Sequence, residues 1–75
     1  MENKNIGQRI RELRTSHEMT TDELAELLNI SASFVGLLER GDRDVSLPIV
    51  VAISKIFDAS LDYLVFGDES GESND

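Results

Sequence analysis

"MTTDELAELLNISASFVGLLERG", residues 19–41, holds two helix starts and two helix stops in close succession. Thr20 is followed three residues later by Glu23, the spacing of a capping box. In that arrangement the hydroxyl takes the N–H of the third helical residue, and the carboxylate reaches back to the cap N–H. Met19 before the cap and Leu24 after the first turn add a hydrophobic staple. Asn29 accepts the left-handed backbone that ends a helix, after which Ile30, Ser31 and Val35 repeat the start. Gly41 is the second stop. With only about three residues between them, the two helices must cross steeply. Such a crossing needs a small side chain at the contact, met by Ala25, and a turn residue, met by Asn29. It also needs apolar anchors beneath both helices: Leu24, Leu28, Ile30, Val35 and Leu38.

The same punctuation continues outward. Val45, Ser46 and Val50 form another staple and cap, with Pro48 in the first turn, where proline is tolerated. Ala59, Ser60 and Leu64 form the next. Upstream, Ile6, Ile10 and Leu13 share one face of a helix that starts near Asn5 and ends near His17. Residues 47–57 include Leu47, Ile49, Val50, Val51, Ala52, Ile53, Ile56 and Phe57, the pattern of a central helix buried on most sides. Gly67 closes the last helix. The expected product is an all-α, compact five-helix domain over residues 1–66, followed by an acidic tail, 67–75 ("GDESGESND"), with nothing apolar to bury and therefore disordered.

Seventy-five residues suit one domain close to the lower size limit for independent folding. There is no cysteine, so neither a disulfide nor a thiolate–metal site can supplement the core. No run approaches the roughly 20 apolar residues that cross a bilayer, and no signal-peptide pattern opens the chain. The expectation is a cytoplasmic protein with no membrane partner. Catalysis has little to stand on: His17 is the sole histidine, and no nucleophile, metal-ligand set or phosphate-cradling glycine loop accompanies it. A helix C-terminus is a favourable place for such a residue. No enzyme activity, cofactor, metal or small-molecule ligand is expected.

The fixed spacing of residues 20–38 is the pattern of a helix-turn-helix, with an ordinary αα-corner as the bland alternative. Together with "IGQRIRELR" before it and "SLPIVVAISKIFDASLDYL" after it, the chain resembles the phage repressor/Cro-like helix-turn-helix domain, also called XRE-like. The resemblance covers about residues 6–64 and includes the opening Ile-Gly, the Leu-Ala of the second helix and the Glu-Arg-Gly that closes the third. It implies sequence-specific binding of double-stranded DNA, as a homodimer and in transcriptional regulation of repressor type. In such domains the third helix enters the major groove. Carried over by register, Ser31, Ala32, Ser33, Gly36 and Leu37 would face bases. Thr20, Thr21, Arg11, Arg40 and Arg43 would meet phosphates. Arg14 and Glu39 would form a structural ion pair. Tyr63 and Phe66 are the candidates for a dimer contact, with core packing as their alternative.

Two features temper that expectation. The base-facing set has no Arg, Lys, Asn or Gln, the side chains that read guanine and adenine in bidentate fashion. The net charge is −8, from 7 basic and 15 acidic residues, the wrong sign for a polyanion partner. Asp22, Glu23 and Glu26 crowd the second helix, and Asp42 and Asp44 flank Arg43. Acids in a first turn suit the helix dipole. A positive strip along Lys4, Arg9, Arg11, Arg40 and Arg43 would favour DNA; continuous negative potential would favour the alternative, a protein-interaction module of antitoxin or anti-repressor kind. Phe34 is expected to pack on the fourth helix or beside Leu38, the alternative being an exposed apolar patch.

Overall fold

The computed structural model describes residues 3–67, with side chains from Asn5 onward. Five helices follow in order: α1 (Asn3–Ser16), α2 (Thr21–Leu28), α3 (Ala32–Arg40), α4 (Leu47–Phe57) and α5 (Leu61–Phe66). No strand occurs among the described residues. The caps fall where their chemistry places them: Thr20, Ser31, Ser46 and Ser60 precede α2 to α5 with extended backbone. Thr20 and Glu23 exchange both capping-box bonds, at 3.1 and 2.8 Å. Ser46 is the exception, with no side-chain cap bond; Pro48 in the first turn removes one N–H that would need a partner. Asn29, Gly41 and Gly67 stop their helices in the left-handed region. Glu18 and Asp58 also take positive φ, which no Gly or Asn announced. The acidic segment beyond Gly67, expected as a disordered tail, lies outside the described residues.

The core gathers Ile6 and Ile10 of α1, Leu24 and Ala25 of α2, Val35 and Leu38 of α3, Val50, Ile53 and Phe57 of α4, and Leu64 of α5. Each fully buried Leu or Ile contributes about 1.5–3 kcal/mol. Leu28 and Ile30 flank the α2–α3 turn as partly buried supports. One expectation is corrected. Helix α4 is not buried on most sides: Leu47 is 70% exposed, and Ile49, Val51, Ala52 and Ile56 are only partly covered. It packs mainly against the short helices α5 and α2, which cannot wrap it, so a single face is buried.

The most extensive helix pair is α1 against α3. Its closeness depends on Gly7, which is buried. A Cβ there would overlap the Leu38 carbonyl oxygen and stand 2.8 Å from that of Glu39. Backbone atoms of a helix cannot step aside as a side-chain tip can. Gly7→Ala is therefore expected to cost ~3 kcal/mol and to lower the thermal midpoint by more than ~10 °C; a melt within a few degrees of wild type would contradict this packing.

Candidate nucleic-acid interface

Helices α2 and α3 are joined through Asn29, whose φ of 61° and ψ of 43° turn the chain sharply. Its N–H bonds Glu26 O, and the Ile30 N–H bonds Ala25 O at 3.0 Å, so the carbonyls left open at the end of α2 are satisfied within the turn. The first residue of α3 is then only four positions beyond the last of α2.

Orientation of α3 is set by Arg14. Its Nε donates to Glu39 Oε2 at 2.7 Å and its Nη2 to Glu39 Oε1 at 3.1 Å, while Nη1 donates to the Met19 carbonyl at 2.8 Å. One guanidinium thus ties α1, the turn before α2 and the end of α3. The Arg14 and Glu39 side chains are 13% and 6% exposed. Hydrogen bonding to Glu39 raises the guanidinium's pKa above its ordinary value; burial opposes this and the Coulomb attraction of Glu39 adds to it. The stabilisation is fully present below the ordinary arginine pKa and is lost only as pH rises through the still higher folded-state value.

Several residues proposed to contact DNA have prior engagements. Thr20 uses its N–H and a lone pair of its hydroxyl on Glu23, so a phosphate at this end of α2 is left with the Thr20 O–H, Thr21 and their neighbours. The Ser31 hydroxyl oxygen accepts from the Phe34 N–H at 3.0 Å, which leaves its O–H to donate. Ala32 is partly buried, with part of its surface packed against the core. Ser33 is exposed, and Gly36 and Leu37 are partly so. Arg40 Nε donates to Asp42 Oδ2 at 3.2 Å on the surface. Arg43 is exposed beside Phe34, Asp42 and Asp44, around a depression of about 360 Å³.

Phe34 corrects the packing expectation: it is not among the residues packed on the core and lies against the Asp42–Asp44 loop instead. Arg9 departs from the expected strip for a clear reason. Its Nη1 donates to Leu64 O at 2.8 Å and Val65 O at 3.4 Å, closing the open carbonyls of α5. The side chain of Lys4 lies outside the described residues. His17 caps α1, its Nδ1 lying 2.9 Å from Leu13 O and its ring 4.9 Å from that of Phe57.

What remains on the α2–α3 face is locally basic. A depression of about 290 Å³ is lined by Arg11, Arg14, Thr21, Gly36, Glu39 and Arg40. Three arginines and one glutamate line it; Arg14 is paired with Glu39 and Arg40 with Asp42, and Arg11 adds a further positive charge. Among the described residues, no group of three or more His, Cys, Asp or Glu could hold a metal ion, and no helix is long and apolar enough to cross a membrane.

The comparisons agree with this geometry. The family described as helix-turn-helix matches residues 10–64, and the chain belongs to that family. It is of the phage repressor/Cro-like, XRE type. The chain is 41% identical over 71 residues to the HTH-type transcriptional regulator DicA of Escherichia coli K12, covering 92% of this chain and 53% of DicA. It is 40% identical over 55 residues to a protein of Pyrococcus furiosus named for an HTH-type transcriptional regulatory role, covering 73% of this chain and 18% of that one. Among solved structures, the restriction-modification controller protein C.AhdI of Aeromonas hydrophila matches with a TM-score of 0.74 at 37% identity, over 83% of this chain and 94% of that chain. The chain spans about half, or less, of the length of these two curated relatives.

Removing the clamp tests what holds α3. Arg14→Ala leaves the Glu39 carboxylate and the Met19 carbonyl without their partner and is expected to cost about 3–5 kcal/mol. That is a large part of the roughly 4–11 kcal/mol available to a chain of this size. Urea denaturation showing a loss below ~1 kcal/mol would reduce the pair to an ordinary surface contact.

Proposed function

We propose that the protein is a transcriptional regulator that binds double-stranded DNA sequence-specifically, with α3 in the major groove and α2 across the backbone. The observation that carries this reading is the depression beside α3 in which Arg11 and Arg40 stand around the Arg14–Glu39 pair, in a chain whose net charge is −8. Screening confines exposed charges to a range of about 8 Å at physiological salt, so the charge lining the contact face governs the encounter more than the total does. The chain acts by binding, without an enzymatic step, in the cytoplasm, and its activity is of repressor type. Its relatives' regulator names support the same role.

Two copies acting on a two-fold site account for specificity that one short helix lacks. Phe66, 73% exposed, and Leu61, 44% exposed, offer an apolar contact on α5. Tyr63, the other candidate, is partly buried against the core and is assigned to packing. Phe66→Asp is expected to convert a dimer to a monomer in sedimentation equilibrium while leaving the helical circular dichroism unchanged; an unaltered mass would move the dimer contact elsewhere.

Selection from random duplex DNA at low and physiological salt tests the main reading. The expected result is an enriched palindrome. With Arg11 and Arg43 as phosphate ligands in each of two protomers, the log–log salt slope is expected to be roughly −4. Absence of enrichment at either salt would transfer the protein to the alternative class, a module that binds another protein through the same scaffold.

A further inference from the structure

Ser33, Gly36, Leu37 and Arg40 fall at i, i+3, i+4 and i+7 of α3 and so share one stripe of its surface. Position 40 closes that stripe, at the point where the helix gives way to Gly41. Its guanidinium stays exposed but does not project straight out from the helix. A Cβ placed on Gly36 would stand 3.2 Å from Arg40 Nη1, so the side chain lies back along the helix over the glycine, in the direction helical side chains favour. The missing side chain at position 36 is the space that the guanidinium occupies.

Asp42 fixes the other side of the group. Its Oδ2 accepts from Arg40 Nε at 3.2 Å, with both side chains more than half exposed. An exposed pair of this kind adds little stability, so its consequence is orientation. The carboxylate is itself held from a rigid base: Gly41 turns with φ of 80°, and the Asp42 N–H donates to Leu37 O at 2.9 Å, closing the end of α3. With Nε engaged, the Nη1–Nη2 edge is left as a fork of parallel N–H donors. That fork matches the O6 and N7 acceptors that guanine shows in the major groove.

No other side chain among the base-facing candidates can make such a bidentate bond. The Ser31 oxygen is used by the Phe34 N–H, Ala32 packs on the core, Ser33 has one hydroxyl and Leu37 has none. We propose that Arg40 is a base-reading residue that selects guanine in each half-site, with Gly36 and Asp42 as its positioning residues. This inference rests on the duplex-DNA reading above and replaces the phosphate role for Arg40 by a base contact.

The experiment uses the full chain and the duplex obtained by selection. One guanine per half-site is expected, and exchanging it for another base should weaken wild-type binding about tenfold or more. Replacing it by 7-deazaguanine, which lacks the N7 acceptor, should also weaken wild-type binding and leave Arg40→Ala unaffected. Asp42→Asn should bind random duplex more tightly, because a carboxylate leaves the contact face, yet discriminate less at that one position. A purely electrostatic role for Asp42 would raise affinity without that loss. Gly36→Ala should likewise lose discrimination while its helix gains stability, since only the arginine tip has to move. Circular dichroism confirms that each variant is folded.

Two results overturn the proposal. In the first, Arg40→Ala weakens binding by the same factor on every sequence and lowers the salt slope by about 0.9 per protomer, which makes Arg40 a phosphate ligand. In the second, 7-deazaguanine has no effect on wild type. Failure of the underlying DNA reading is distinguishable from both, because the wild-type chain would then select no site.

Discussion

A single guanidinium determines where the third helix points. Arg14 spends its donors on two partners: the turn after its own helix, through the Met19 carbonyl, and both carboxylate oxygens of Glu39 at the far end of α3. The bidentate match is directional, so it resists rotation of α3 as well as separation. Gly7 does the complementary work, letting α1 approach until its backbone meets the Leu38 and Glu39 carbonyls. Close contact at one point and a charged clamp at another leave α3 little freedom to roll. Its outer stripe is thereby presented in a defined orientation, which a groove-entering helix needs in order to have any sequence preference.

The acidic composition and the basic interface are compatible because charge acts locally in salt. Carboxylates in the first turn of α2 serve the helix dipole and the capping box. The cost falls on the anion-binding capacity of that terminus. Glu23 already occupies the Thr20 N–H that a phosphate would otherwise take. On the proposed reading affinity rests on a few arginines, and one of these, Arg40, is paired with Asp42. On that reading, a protein built this way would bind duplex DNA less tightly in general, and a larger share of its affinity for a correct site would come from contacts that depend on sequence.

Much of this molecule can be read from residue spacing. The caps at Thr20, Ser31, Ser46 and Ser60 and the stops at Asn29, Gly41 and Gly67 depend on chemistry within four or five residues, so the element boundaries follow from local pattern. The positive φ of Glu18 and Asp58 was not legible from residue type: Glu does not favour that region, and Asp, though enriched there, is as much at home at a helix start. The burial of α4 was misread for a related reason: apolar content shows what a helix can bury, not how many neighbours are available to cover it. At the interface, residue types alone could not separate Arg9, which closes α5, from Arg11, which faces the basic depression.

Five helices, their order and the helix-turn-helix register were thus settled by short-range hydrogen bonding and hydrophobic periodicity, both of which are written in consecutive residues. Which arginine serves structure and which faces outward was decided only when α1, α3 and α5 came together, since Arg9 meets its partners 55 and 56 positions away and Arg14 meets Glu39 across 25. A cationic side chain reaches several ångströms in any direction and takes whichever carbonyl or carboxylate folding brings near. The assignment of charge to core or to interface is therefore a property of the assembled chain.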